Sequence, residues 1–289
     1  MVGERAINSR LRAARRFNPA AHVPFLCDGA RVGWLRKAHA QRLMAWPDIF
    51  RRDAAGVRIA GALDSAESRT RAVGDVIRLL HKEGAITGWR DERYAVVTAF
   101  EAPPLLHIER AAARYFGVTT YAAHANGYCG GGADCGMWLA RRAATKPIDP
   151  GMLDNLVGGG MAAGIAPLQT IIREAREEAG VPAALARDAV ATGTARLLRE
   201  VPEGVQAEII FVFELELPRE FQPHNEDGEV AGFRRVSIPE VIGMLRAGAD
   251  FTLDSSLVIM RFLERRDYPG YTLDESEFAV PAHAAIQGI

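Results

Sequence analysis

Residues 158–181 read GGGMAAGIAPLQTIIREAREEAGV, a glycine run and then a helix-forming segment with three glutamates at its far end. Counted at about 100° per residue from Leu168, Ile171, Ile172, Ala175 and Ala179 fall on one apolar stripe. Glu174, Glu177 and Glu178 gather on another face. That face is costly by itself, because like charges three and four residues apart repel and carboxylates near a helix C-terminus oppose the macrodipole. Arg173 can pair with Glu177, and a solvated charged face would account for the bare segment. The glycine turn just before the helix changes the weighing, since it can offer a bare backbone carbonyl beside the carboxylates. Together they make an all-oxygen donor set suited to a hard divalent cation, Mg2+ with Mn2+ able to substitute. A cation so held commonly works on a diphosphate, where it neutralises phosphate oxygens and activates water.

Around this segment the chain divides into two patterns. Between Phe25 and Phe116, GVRIAG (56–61) and DERYAVV (91–97) read as strands on either side of a helix at 65–86. Val73, Val76, Ile77 and Leu80 form that helix's apolar stripe, Ser65 caps its start and Gly84 stops it. Trp34, Trp46 and Trp89 suggest an aromatic-rich core for this half, and Ile7, Leu11 and Ala14 could dock a first helix. From Val118 onward, VTTYAAHANGY and MWLARRA read as strands joined by the loop CGGGADCG. GTARLLREV and AEIIFVFELEL read as a hairpin around Pro202 and Glu203, with Phe211, Phe213, Leu215 and Leu217 alternating on one face of a half-buried strand. GEVAGFRRV is a further strand, Ser237 to Glu240 a capping box opening a helix, and Asp254 or Ser255 the cap of a last helix reaching about Arg266. The expected organisation is α/β, a mixed sheet between helices at 118–289 preceded by a small α/β unit at 1–117.

Bulk properties exclude more than they specify. With 35 Lys plus Arg against 36 Asp plus Glu, nothing pulls the chain globally toward nucleic acid, and no apolar run reaches the roughly 18 residues that span a bilayer. Three cysteines without framework spacing suggest a reducing compartment, hence the cytoplasm; the five residues between Cys129 and Cys135 fit a zinc knuckle poorly. The arginine-rich start, MVGERAINSRLRAARRF, has a faint transit-peptide composition, against which the helical spacing of Ile7, Leu11 and Ala14 favours an ordinary first helix. Neither a GxSxG elbow nor the Lys-Ser/Thr of a P-loop is present.

The segment from Gly159 through Arg173-Glu174-Ala175-Arg176-Glu177-Glu178-Ala179-Gly180-Val181 resembles, in register, the signature of the Nudix hydrolases. Two positions depart from it: Ile165 stands where the family has its first Glu, and Ala175 is smaller than usual. The resemblance implies the Nudix fold, a mixed sheet sandwiched between helices. It implies metal binding by Glu177, Glu178 and the Gly158 carbonyl, with Glu174 a further ligand or the general base, and Arg173 orienting the glutamates by a salt bridge. A further acid is expected from HNEDGEV, with Glu229 preferred and Glu226 and Asp227 read as a polar turn.

More narrowly, the chain is similar to the Nudix domain associated with thiamine pyrophosphokinase, over about residues 24–270. The residues that carry this are His124-Ala-Asn126-Gly127-Tyr128, the GGG-x-x-x-G box without its first Glu, the DGEV segment and the size of the N-terminal region. This similarity implies hydrolysis of thiamine diphosphate-like compounds, including oxidised forms, to the monophosphate and phosphate. His124 and Asn126 are candidate substrate contacts, although a hydrogen-bonded strand histidine fits His124 equally well. The alternatives are a hydrolase of ADP-ribose, dinucleotides or nucleotide sugars, and a sensor that binds a diphosphate ligand without turnover. The expected partner is a small-molecule diphosphate, with no nucleic acid and no membrane, and homodimerisation is left open.

Overall fold

The computed structural model describes residues 9–131 and 135–268. Ile7 and the centre of the glycine-rich loop after Cys129 lie outside the described residues. The described residues begin in a helix, α1 (residues 9–14), followed by β1 (His22–Cys27), β2 (Ala30–Arg36), α2 (Lys37–Leu43), β3 (Phe50–Asp53) and β4 (Gly56–Ile59). Helix α3 (Ala66–Lys82), the hairpin strands β5 (Arg93–Val96) and β6 (Leu106–Glu109), and the short α4 (Ala113–Phe116) complete the first unit. Its four strands pair in the order β2-β1-β4-β3. Ser65 caps α3 by accepting from the Ser68 N–H, and Val73, Val76, Ile77 and Leu80 are all buried. The core of this half is aromatic-rich, with Phe25, Phe50 and Phe116 at its centre and Trp46 and Trp89 packed at its edge.

The second unit runs β7 (Thr119–Cys129), β8 (Gly136–Arg142), β9 (Leu153–Asp154), β10 (Val157–Gly160), α5 (Pro167–Ala179), α6 (Ala183–Ala186), β11 (Val190–Val201) and β12 (Gly204–Glu216). It closes with β13 (Val230–Ser237), α7 (Ile238–Ala247) and α8 (Leu253–Arg265). The sheet order is β11-β12-β7-β8-β13, with β10 on β7 and β9 on β8, and β12 runs parallel to β7. Helix α5 covers one face, where Ile171, Ala175 and Ala179 meet Ala123, Ala125, Phe213 and Leu215. Helices α7 and α8 cover the other, where Val241, Val258 and Phe262 meet Ala122, Met137, Ile210 and Val212. This is the α/β/α sandwich, and it corrects one expectation: β12 is buried on both faces, not half-buried, because α5 covers one face of the sheet and α7 and α8 the other. The last helix is capped by Thr252, whose hydroxyl accepts from the Ser255 N–H, not by Asp254 or Ser255. Among the described residues no helix is long and apolar enough to cross a membrane.

The two units are closely joined. Helix α1 leaves the first unit and inserts Leu11 and Ala14 into the α7/α8 core of the second. Arg10 fixes it there, donating to the Phe251 carbonyl (3.1 Å) and the Ser256 hydroxyl (2.9 Å). At Gly204, in the β11/β12 turn, a side chain would strike the Arg114 carbonyl, so the backbones of the two units touch.

Candidate active site

Helix α5 is set by both of its ends. Pro167 occupies the first turn, where its missing N–H costs nothing, and the Gln169 side chain accepts from the Ala166 N–H (3.3 Å). Gly180 ends the helix at φ +61, with the Gly180 N–H reaching the Arg176 carbonyl (3.0 Å) and the Val181 N–H the Ala175 carbonyl (2.9 Å). The segment 224–229 then docks on this end: the Glu226 N–H donates to the Glu177 carbonyl (3.0 Å) and the Asn225 amide to the Glu178 carbonyl (3.3 Å). These bonds satisfy carbonyls that the helix leaves open and carry the acids of HNEDGEV to the glutamates.

The three glutamates sit at different depths. Glu178 is only 7% exposed, the Glu174 side chain 13%, and the Glu177 side chain 46%. Arg173 bridges the outer two, at 2.6 Å to Glu174 and 3.5 Å to Glu177. The glycine run expected as a turn is strand β10, paired with β7, and it meets Glu178 through its amide, the carboxylate accepting from the Gly158 N–H (3.0 Å). Burial pushes the Glu178 carboxyl well above the usual range, the Gly158 N–H opposes that shift, and Glu174 and Asp154 add to it. Burial likewise raises Glu174, opposed by Arg173 and reinforced by Glu177 and Glu229.

Each glycine of the run makes room for one side chain. A Cβ at Gly158 would meet the His124 ring, one at Gly159 the Glu174 carboxylate, and one at Gly160 the Tyr94 hydroxyl. Glu229 lies just ahead of β13, half exposed and ion-paired with Lys146, across a small cleft from Glu178 and Asp154. Asp227 accepts from Asn225 and from the Glu229 N–H (2.8 Å), which makes it part of a polar turn.

His124 and Asn126 form a different arrangement. His124 Nδ1 donates to Asn155 (3.0 Å), Asn155 donates to Asn126 (2.9 Å), and Asn126 donates to the Val258 carbonyl of α8 (3.0 Å). Asn126 is fully enclosed. The expectation that it touches substrate is therefore corrected: its amide is committed on both sides to holding β7, the turn after β9 and α8 together.

Sequence reasoning passed over Asp154, Arg142 and Lys146. Arg142 pairs with Asp154 at 2.8 Å, and both face Glu178 across the cleft. The nearest signal was the Asp154-Asn155 pair in the run just before the glycines. The donor set fits a hard divalent cation by chemistry and by charge, since Glu177 and Glu229 make Glu174 costlier to ionise and Glu174 and Asp154 do the same to Glu178. Among the described residues no three acidic, His or Cys side chains already close on one point.

Comparison with known proteins completes this picture. The family described as NUDIX domain matches residues 129–255, and one described as a domain of unknown function, DUF4743, matches residues 5–120. Nudix hydrolase 24, chloroplastic, of Arabidopsis thaliana is 38% identical over 256 residues, covering 86% of this chain and 70% of that protein. Nudix hydrolase 20, chloroplastic, of the same plant is 36% identical over 255 residues, covering 85% and 68%. A crystal structure of DR0079 from Deinococcus radiodurans superposes with a TM-score of 0.46 at 22% identity, covering 61% of this chain and 100% of that one. Identity at this level over 85% or more of the chain shows that it is an enzyme of the Nudix hydrolase family.

Proposed function

We propose that the chain is a Mg2+-dependent pyrophosphohydrolase, with Mn2+ able to substitute, whose substrates are thiamine diphosphate-like compounds, oxidised forms among them. The observation that carries the metal-dependent reading is the cleft beside α5, in which Glu178, held to the Gly158 amide, shares the lining with Glu229 and Asp154. The substrate reading rests on the motif around His124 to Tyr128, the glycine-rich box with Ile165 in place of its first Glu, and the DGEV segment. The three cysteines are free and buried, which supports a reducing compartment such as the cytoplasm.

In this proposal Glu177, Glu178 and Glu229 hold the cation, which when bound neutralises phosphate oxygens and makes water a better nucleophile. Glu174 accepts the proton from the attacking water. Its carboxyl is raised by burial, as a base working near neutral pH requires, and Arg173 fixes its direction at 2.6 Å. Residues 118–289 carry the glutamates of this chemistry, and 1–117 precede them as the N-terminal α/β unit.

The test is phosphate and monophosphate release with Mg2+, for wild type and Glu177→Gln, on thiamine diphosphate, its oxo and oxy analogues, ADP-ribose, NADH and a nucleotide sugar. Preference for the thiamine set is expected, with a loss of ~10² to 10³ in rate in the variant, the size seen when one preorganised electrostatic group is removed. Preference for ADP-ribose would keep the chemistry and discard the thiamine reading. Unchanged turnover in Glu177→Gln would overturn the metal assignment.

A further inference from the structure

The first unit reaches into the carboxylate site. Strand β5 borders the loop that joins the glycine run to α5, and the Ala163 N–H of that loop donates to the Arg93 carbonyl (3.0 Å). One residue further along β5, Tyr94 is buried with its hydroxyl in the space where Gly160 has no side chain. Arg110, just after β6, lies over the Tyr94 ring at 5.7 Å. Its Nη1 pairs with Glu92 at 2.7 Å, and its Nη2 comes within 3.4 Å of the same empty Cβ position at Gly160. Its side chain is nevertheless 43% exposed.

This arrangement is unlike a surface ion pair. A guanidinium is a planar fork, and here one nitrogen is held by Glu92 while the other is directed to the glycine run. Burial raises the Glu174 carboxyl and the Arg110 charge opposes that rise, so the guanidinium is felt at the proposed base. Gly160 is two residues from Gly158, which binds Glu178, and next to Gly159, which accommodates Glu174. A positive fork placed beside these carboxylates has an evident use when the ligand is a metal-bound diphosphate: the carboxylates repel the phosphate oxygens and the arginine attracts them.

We propose that Arg110 of the N-terminal unit is a substrate-binding residue of the hydrolase, its guanidinium taking non-bridging oxygens of the diphosphate, with Tyr94 and Glu92 as the positioning residues that aim it. The unit at 1–117 then completes the active site. This rests on the pyrophosphohydrolase reading of the carboxylate site.

The experiment compares full-length wild type, Arg110→Ala and Arg110→Lys. Inorganic pyrophosphate binding, read by calorimetry with Mg2+, is expected to weaken about ten- to a hundredfold in Arg110→Ala, the range for a lost charged hydrogen bond, and to recover in part in Arg110→Lys. On whichever test diphosphate the wild type hydrolyses, KM should rise by a similar factor with kcat nearly unchanged. Tm should not move, since Arg110 is exposed. Equal pyrophosphate affinity in wild type and Arg110→Ala would overturn the inference and leave the hydrolase reading standing. A fall in kcat at constant KM would also overturn it. Wild type that binds pyrophosphate through Arg110 but hydrolyses no diphosphate would support the grip while sinking the pyrophosphohydrolase reading.

Discussion

Glu178 shows how one residue serves both fold and chemistry. It is nearly enclosed, its carboxyl is raised by burial, and one oxygen accepts the Gly158 N–H of the half-buried strand β10. Stability needs only the acceptor; the proposed metal site needs the charge. Glu178→Gln separates the two, because the amide oxygen can still accept from Gly158 while the buried charge is gone. With a chelator present, the variant is expected to be at least as stable as wild type above neutral pH, where an acid with a raised folded-state pKa is costly to ionise. Its Mg2+-dependent kcat/KM should fall by ~10² to 10³. Thermal melts and steady-state kinetics on the same preparation check both halves. A lower Tm with normal kinetics would mean that Glu178 is a structural carboxylate.

At the level of elements, helix ends place the groups that matter. The 224–229 segment binds open carbonyls of α5 and so delivers Glu229, while Thr252 opens α8 and leaves Asp254 in its first turn. Asp254 keeps some accessible surface yet lies deep in the protein. Desolvation, with repulsion from Glu208 and Asp154 and attraction from His124 and Arg199 acting in opposite directions, lifts its pKa to about 7. In the unfolded chain it would titrate near ~3.9. Between these values the native state holds a proton that the unfolded state has released, so this group makes stability fall as pH rises from ~4 to about 7. Asp254→Asn is expected to remove that contribution: its Tm should exceed that of wild type at pH 8 and approach it at pH 5. A Tm difference that is the same at both values would refute the raised pKa. The sequence suggests Asp254 or Ser255 as the cap, because Asp, Ser and Thr are all good N-caps and three of them adjoin here. Only the path of the chain selects Thr252.

At the scale of the whole molecule, what could be read in advance was local. The stripe of Ile171, Ala175 and Ala179 and the opposed Glu174 and Glu177 follow from helical spacing, so they were visible in the order of residues. The burial of β12 on both faces was not, since it depends on which helices pack on the two sides of the sheet. Asp154 was passed over because it faces Glu178 across a cleft whose walls are far apart in sequence. Tyr94 and Arg110 carry no spacing signal at all: they matter only because the first unit folds back onto the glycine run.

That folding back has a thermodynamic consequence. Leu11 and Ala14 belong to the core of the second unit, Arg36 donates to the Val201 and Pro202 carbonyls of the β11/β12 turn, and the Trp34 N–H bonds the Gly117 carbonyl at the crossover between units. Contacts shared in this way couple the unfolding of the two parts. Leu11→Ala, far from the glutamates, should cost about 2 to 5 kcal/mol as a buried leucine truncation does, and the loss should appear in one shared transition. Calorimetry of wild type and variant reads this directly. A single endotherm that shifts down as a whole fits a molecule in which the first unit is part of the enzyme. Two separate transitions, with only one of them moved, would mean that the units are stable independently and merely adjoin.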